Sequence, residues 1–308
     1  MYGSTLKRHP TLMYMKAHKW LYLLVLPGVL YFIVFKYIPM LGIVIAFQQF
    51  NPYDGFVNSP FVGLKHFKSL FMGPDFLMLL KNTLGISILS LLIYFPAPII
   101  LALFLNEIKN QKFKRISQTM IYIPHFISYV IVATLTYQLF NISDGIVTQI
   151  LHGLTGVKFN FLAGPQYFKG LIVGQTIWKD TGYGTIVFLA ALSGVDQELY
   201  EAAKVDGAGR WRLMWHITLP AIKGTIIVML ILRVGQVLNT GYEQIFLMQN
   251  NINISAAEVF DTYVYTRGMK SGQYSYATAV GMFKAVVGMV LVLFANWSAK
   301  RAGESGLY

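Results

Sequence analysis

Six stretches of this chain are apolar over the length that a helix needs to cross a lipid bilayer. They cover roughly residues 20–47, 82–105, 119–141, 169–192, 222–247 and 276–298. About 20 apolar residues, rising about 1.5 Å each, traverse about 30 Å of hydrocarbon. There the backbone has no water to bond with, so each stretch must close its own hydrogen bonds as a helix. The sequence therefore predicts an all-α membrane protein with six transmembrane helices. Composition agrees: of the 308 residues, 55% are hydrophobic and 12% charged, against about 25% charged in soluble domains. Pro27 and Pro39 predict a kinked or broken first crossing, Pro96 and Pro98 lie in the second, and Pro124 falls near the start of the third.

The net charge of +12 is scattered among the apolar spans, which argues for membrane-edge anchoring over nucleic-acid binding. Lys7, Arg8, Lys16 and Lys19 precede span one. Lys109, Lys112, Lys114 and Arg115 follow span two, Lys204, Arg210, Arg212 and Lys223 follow span four, and Lys300 and Arg301 end the chain. The alternate loops carry fewer: Lys65, Lys68, Lys158, Lys169, Arg267 and Lys270. The richer side is expected to be cytoplasmic, with both termini inside. The basic N-terminus leads into an apolar run too long for a signal-peptide core and is expected to stay as the first span. The expected organisation is a cytoplasmic segment 1–19, a six-helix domain 20–298 with a loop at 193–221, and a cytoplasmic tail 299–308. Cysteine is absent, which rules out thiol catalysis and disulfides. The six histidines are dispersed, with no H-E-x-x-H, G-x-S-x-G or G-x-x-x-x-G-K-[ST] motif, so the chain offers no hydrolase, zinc-enzyme or nucleotide-binding signature.

The 193–221 loop is the one long polar insertion on the positive side. Leu199, Ala202, Ala203 and Val205 among Glu and Lys predict a short helix, and Gly207 and Gly209 predict its end. Such a helix could lie on the membrane or dock another protein. Glu201-Ala202-Ala203, three residues, Gly207, nine residues, then Ile217-x-Leu219-Pro220 resembles the EAA signature of ABC importer permeases. The stretch DTGYGTIVFLAALSGVDQELYEAAKVDGAGRWR is similar to the carbohydrate-uptake branch, including the larger maltose-transporter permease. FKYIPMLGIVIAFQQFNPYDG is similar to the oligosaccharide and polysaccharide permeases of that branch. The resemblance implies a type I importer fold and a coupling helix docked in a cytoplasmic ATPase dimer through Glu201, Ala202, Ala203, Asp206 and Gly207. It implies ATP and magnesium on that partner and no cofactor here. It also implies a second homologous permease, an extracellular solute-binding protein (lipoprotein or periplasmic), an oligosaccharide cargo and a bacterial plasma membrane. The maltose subunit has extra N-terminal spans and a large external domain that this sequence lacks, and nothing about them carries over.

Ionisable residues inside spans are costly and face cavities or partners. Lys179, Asp180, Arg233 and Lys284 qualify. Arg233, Gln236, Thr240 and Glu243 recur at three- and four-residue steps, predicting one polar stripe on a continuous fifth helix, with Asn239 and Tyr242 beside it. In span four, Gln175, Lys179 and Gly182 share one face, and Thr176, Asp180 and Tyr183 the next. Amides, acids and aromatics around one cavity suit a sugar. Resemblance to the maltose subunit places the pathway near Asp180, Gly182, Tyr183, Gln236, Asn239 and Tyr242, with Lys179, Arg233 and Glu243 as further candidates. The same charges could instead pair between helices, Asp180 with Arg233 or Lys284, and the small residues Ala277, Gly281, Ala285 and Gly288 predict close packing of span six. The rival reading is an ion-coupled secondary transporter that relays protons through Asp180 and Glu243.

Overall fold

The computed structural model describes residues 10–304, 306 and 307. Lys7 and Arg8 lie outside the described residues, as does the side chain of Lys16. No strand occurs among the described residues beyond an isolated bridge, Gln48 to Phe61. Three helices are long and apolar enough to cross a membrane: α1 (Lys19–Phe47), α2 (Phe76–Asn106) and α11 (Tyr274–Arg301). Two further crossings are bent pairs, α3 (Gln111–Phe126) with α4 (Tyr129–Phe140) and α7 (Arg210–Ala221) with α8 (Lys223–Gly235). In the place of the fourth predicted span stands α5 (Pro165–Ser193), 29 residues long and more polar because it carries Lys169, Lys179, Asp180, Gln166, Gln175 and three threonines. Shorter helices α6 (Gln197–Val205), α9 (Tyr242–Met248) and α10 (Phe260–Tyr265) complete the frame.

Proline sets the irregularities. Pro96 offers no N–H to the preceding turn, and the backbone before it widens into a π-turn over Ser90–Tyr94, where the Phe95 N–H reaches back to the Ser90 carbonyl at 3.0 Å. The third span is not the single crossing expected over 119–141. The chain bends by 97° after Pro124, and Ser128 caps the new helix by accepting the Ile131 N–H. The fifth is not one helix over 222–247 either. It bends by 59° at Ile222, ends at Gly235, and resumes at Tyr242 only after an irregular turn.

α5 runs through the middle. Its buried face, from Phe168, Ile172 and Gln175 through Lys179 and Gly182 to Phe188 and Leu192, packs along α2. At one end Ile86, Ala133, Phe168, Ile172, Ile245 and Met248 share a core. At the other, Ile99, Leu103, Phe188, Leu192, Met214 and Ile222 share another. Beside the first, Leu70, Leu79, Phe260, Tyr263 and Val280 seat α10 and α11. In α1 only Ala46 is buried; its end at Leu41–Phe47 packs on α11, and the rest presents an apolar surface that lipid or another membrane helix can cover.

Gly182 is a packing position and not a cavity wall: a Cβ there would overlap the backbone carbonyl of Ile121 in α3. Gly288 likewise lets α11 meet α8, since its Cβ would lie 2.7 Å from the Gly235 carbonyl oxygen. Gly281 has nothing within 4 Å, so the small-residue face of span six is used in part only. Gly182→Ala is therefore expected to cost about 1–3 kcal/mol through overpacking and to lower the thermal unfolding midpoint of the solubilised protein. Gly281→Ala should leave it unchanged or raised, and equal midpoints for the two variants would contradict this packing.

Candidate functional site

A cavity of about 200 Å³ opens where α2, α5, α8 and the turn after α8 converge. Its polar wall comprises Ser90, Tyr94, Tyr129, Asp180, Arg233 and Gln236, with Asn239, Thr240 and Gln244 above them. The π-turn of α2 brings Ser90 and Tyr94 to Arg233. The Arg233 guanidinium donates to the Ser90 hydroxyl at 2.9 Å and lies 5.3 Å from the centre of the Tyr94 ring, a cation–π distance.

Asp180 is held from the bend between α3 and α4. One carboxylate oxygen meets His125 Nδ1 at 2.9 Å, and the other accepts the Tyr129 hydroxyl at 3.1 Å. Lys179, on the buried face, donates to the His125 carbonyl and sits over the Tyr129 ring at 5.1 Å. Tyr183 stacks on His125 at 4.0 Å. The expected pairing of Asp180 with Arg233 or Lys284 is thus not formed, because the α3–α4 bend delivers nearer partners. Lys284 is bonded instead to Asp261.

The predicted stripe along span five is not a helical face. Helix α8 stops at Gly235, and Gly241, at φ +89°, turns the chain in a way that other residues resist. The irregular turn still carries Gln236, Asn239 and Thr240 to the cavity. Asp261 stabilises it by accepting the Thr240 N–H at 2.9 Å, while Ser87 of α2 donates to the Val237 carbonyl. Of the predicted pathway residues, Asp180, Arg233, Gln236 and Asn239 line the cavity. Lys179, Gly182, Tyr183, Tyr242 and Glu243 do not: Lys179 and Tyr183 brace His125, Tyr242 stacks on Phe246, and Glu243 is exposed. Ser90, Tyr94, Tyr129 and Gln244 were not singled out from sequence. Gln244 is buried and donates to the Ile172 carbonyl at 2.9 Å and to Gln175 at 3.0 Å. Gln175 donates in turn to Thr136 at 2.8 Å, which ties α4, α5 and α9 together.

The second feature is α6. Asp196 caps its start by accepting the Glu198 N–H at 2.9 Å. Its end is a Schellman turn: Gly207 N–H to Lys204 O at 3.0 Å and Ala208 N–H to Ala203 O at 2.9 Å, with Gly207 at φ +77°. Glu201, Ala202, Asp206 and Gly207 are exposed and Ala203 half-buried. Val205 is 88% exposed and Leu199 52%, an apolar presentation left uncovered among the described residues. Tyr200 anchors the inner side, packed on the Ile99–Phe188–Met214 core and donating to Thr218 at 3.0 Å.

Residues 94–304 match the family model described as binding-protein-dependent transport system inner membrane component. Over 294 residues the chain is 55% identical to the protein LplB of Bacillus subtilis, covering 96% of this chain and 92% of that one. It is 53% identical over 302 residues to YteP of the same organism, described as a polygalacturonan/rhamnogalacturonan transport system permease, covering 98% and 94%. Among solved structures, it resembles a chain of a bacterial alginate ABC transporter in complex with an alginate pentasaccharide-bound periplasmic protein. That match has a TM-score of 0.87 at 40% identity and covers 95% of this chain and 98% of the other.

The Lys284–Asp261 pair is well buried, at 10% and 17% side-chain exposure. Lys284→Met leaves a buried carboxylate uncompensated, which typically costs about 3–5 kcal/mol. Adding Asp261→Asn, which keeps an acceptor for the Thr240 N–H, should recover part of that loss. Thermal unfolding of the single and double variants checks this, and simply additive losses would show that the two charges are not coupled.

Proposed function

This chain belongs to the family of binding-protein-dependent transport inner membrane components, as a permease subunit of a carbohydrate ABC importer, and from that premise we propose that it carries acidic oligosaccharides past the Asp180–Arg233 cavity. The observation that carries the reading is the charge of that cavity. Arg233, which lines it, has no carboxylate in ion-pair range among the described residues, and neither has Lys179 behind the wall. Asp180 is engaged by His125 and Tyr129. Cations held in a membrane interior without counter-charges favour an anionic cargo, and a guanidinium suits a uronate carboxylate because its planar fork matches two oxygens. The related permease YteP is described as serving polygalacturonan and rhamnogalacturonan, and the related transporter as importing the acidic polysaccharide alginate.

At about 200 Å³, the cavity is smaller than the 300–1,000 Å³ of typical ligand pockets. This chain would supply one wall and a second, homologous permease the other. Gln236, Asn239 and Thr240 would exchange hydrogen bonds with sugar hydroxyls. A solute-binding protein would deliver the glycan to the end where α2, α5 and α11 begin. An ATPase dimer, carrying ATP and magnesium, would meet Glu201, Ala202, Ala203, Asp206 and Gly207 at the opposite end. That end gathers most of the basic loops, so both termini would be cytoplasmic. ATP binding would displace α6, and through Tyr200 and the shared core the movement would reach α5 as a rigid-body tilt. A secondary transporter relaying protons between Asp180 and Glu243 fits less well, because Glu243 does not line the cavity that Asp180 lines.

The test is uptake of oligogalacturonides into proteoliposomes holding the complete transporter. Arg233→Gln and Asn239→Ala are expected to lower uptake about tenfold, equivalent to about 1.4 kcal/mol in the transport barrier, with the assembly intact. Glu201→Lys and Gly207→Asp should reduce recovery of the ATPase in pull-downs and leave ATP hydrolysis uncoupled from uptake. Wild-type uptake in the first pair would remove the cavity from the pathway, and wild-type pull-down and coupling in the second would remove α6 from the drive.

A further inference from the structure

A second cavity, of about 520 Å³, lies at the end of the molecule opposite α6. It sits between the segment that joins α1 to α2 and the segment that leads into α11. It shares no lining residue with the central cavity. Its chemistry is unlike that of a lipid-facing groove. Phe50, Phe76, Tyr274 and Tyr276 supply ring faces, and Asp75 and Arg267 supply a charged pair.

The pair is under-used within the protein. Asp75 accepts the Tyr263 hydroxyl at 3.1 Å and an Arg267 N–H at 3.2 Å, both on the same oxygen, Oδ2. The other carboxylate oxygen has no partner among the described residues. Arg267 lies over the Tyr263 ring at 5.0 Å and commits one end of its fork to Asp75, leaving most of its five donors for something else. Both side chains stay part-exposed, at 40% and 35%. The surroundings are fixed in place. The Phe50 N–H donates to the Ser275 hydroxyl at 2.9 Å, buried His66 meets the Gln48 carbonyl at 3.0 Å, and the Tyr263 and Tyr276 hydroxyls are 3.4 Å apart.

A carboxylate with a free oxygen beside a guanidinium with free donors matches two neighbouring sugar hydroxyls, one donating and one accepting. Flanking rings match the C–H face of a pyranose. We propose that this outer cavity is a saccharide subsite that holds one pyranose unit of the glycan before it enters the central cavity. The proposal rests on the glycan-import reading. It gives the transporter two stations in series: an outer one selecting for ring and hydroxyls through Asp75 and Arg267, and an inner one selecting for charge through Arg233.

The chain contains no cysteine, so a single Ser69→Cys at the cavity rim reports occupancy directly. The Ser69 hydroxyl donates to the Lys65 carbonyl one turn earlier in the helix Lys65–Met72, which makes the change mild. The complete transporter in nanodiscs, without ATP and without binding protein, is labelled with a maleimide in the presence and absence of trigalacturonate. Labelling at position 69 is expected to slow about fivefold at about four times the dissociation constant of the probe. A control cysteine at Val57, 94% exposed and outside the cavity, should not respond. Asp75→Asn and Arg267→Gln should each abolish the protection while the complex still assembles. Equal labelling rates with and without trigalacturonate, in a transporter that imports oligogalacturonides, overturn the subsite and leave the import reading standing. Protection that persists in both variants also overturns it, as does protection by glycan-free binding protein alone, which would make the cavity a protein-docking surface. Loss of all oligogalacturonide uptake in the unaltered transporter instead strikes the import reading.

Discussion

Inside a bilayer, backbone that leaves the helix must find partners within the protein, and the turn at 236–241 depends on one carboxylate for that. Asp261 takes the Thr240 N–H and is itself neutralised by Lys284 from α11. Ser87 closes the Val237 carbonyl from α2. Three elements therefore meet at one interruption of span five. The interruption still carries Gln236, Asn239 and Thr240 to the cavity wall, with backbone groups of the turn closed by side chains of neighbouring elements. Irregular backbone at this depth is tolerated where it lines a cavity, and that is where it is found.

The central helix α5 links this cavity to the other end of the molecule. Thr176 and Asp180 line the cavity. Further along the same helix, Phe188 and Leu192 enter the core that also holds Met214 and Ile222 and packs Tyr200 of α6. The connection is made of buried apolar contacts and one hydroxyl pair, Tyr200 to Thr218. Close-packed contacts of this kind resist deformation, so a displacement of α6 would be passed to α5 as a body. The C-terminal residues join the same end, because Glu304 pairs with Lys223 at the start of α8.

Much of this architecture was legible in the sequence because its causes are local. Hydropathy located α2, α5 and α11 to within a few residues, apart from the start of α2. The EAA segment located α6, and Gly207 ended it, since the capping turn needs a left-handed residue that glycine supplies without strain. What was not legible depends on distant contacts. Pro124 marks where span three breaks, but the 97° bend is set by how Ser128 restarts the helix and by what packs on it. His125 looked like one dispersed histidine, yet it is the partner of Asp180, 55 residues away. The periodicity of Arg233, Gln236, Thr240 and Glu243 presumed a helix, but the helix ends at Gly235 and resumes only at Tyr242. Resemblance to the maltose subunit places Gly182 near the pathway, whereas in the fold its missing side chain admits the Ile121 carbonyl.

Two arginines on the proposed path differ in their surroundings. Arg233 rests on a hydroxyl and a ring face, Ser90 and Tyr94, and shares the cavity wall with Asp180 without forming an ion pair to it. Arg267 rests on a ring and a carboxylate, Tyr263 and Asp75, so the pair it forms is close to neutral and offers direction more than field. Coulombic attraction reaches beyond contact distance, but hydrogen bonding needs contact. An anionic glycan would therefore be recognised by shape and hydroxyl pattern at the outer pair, and drawn by charge only once near Arg233. A neutral glycan of the same length would satisfy the first arginine and gain nothing from the second, so on the proposed reading discrimination between the two would reside at Ser90, Tyr94 and Arg233, where the π-turn of α2 meets the end of α8.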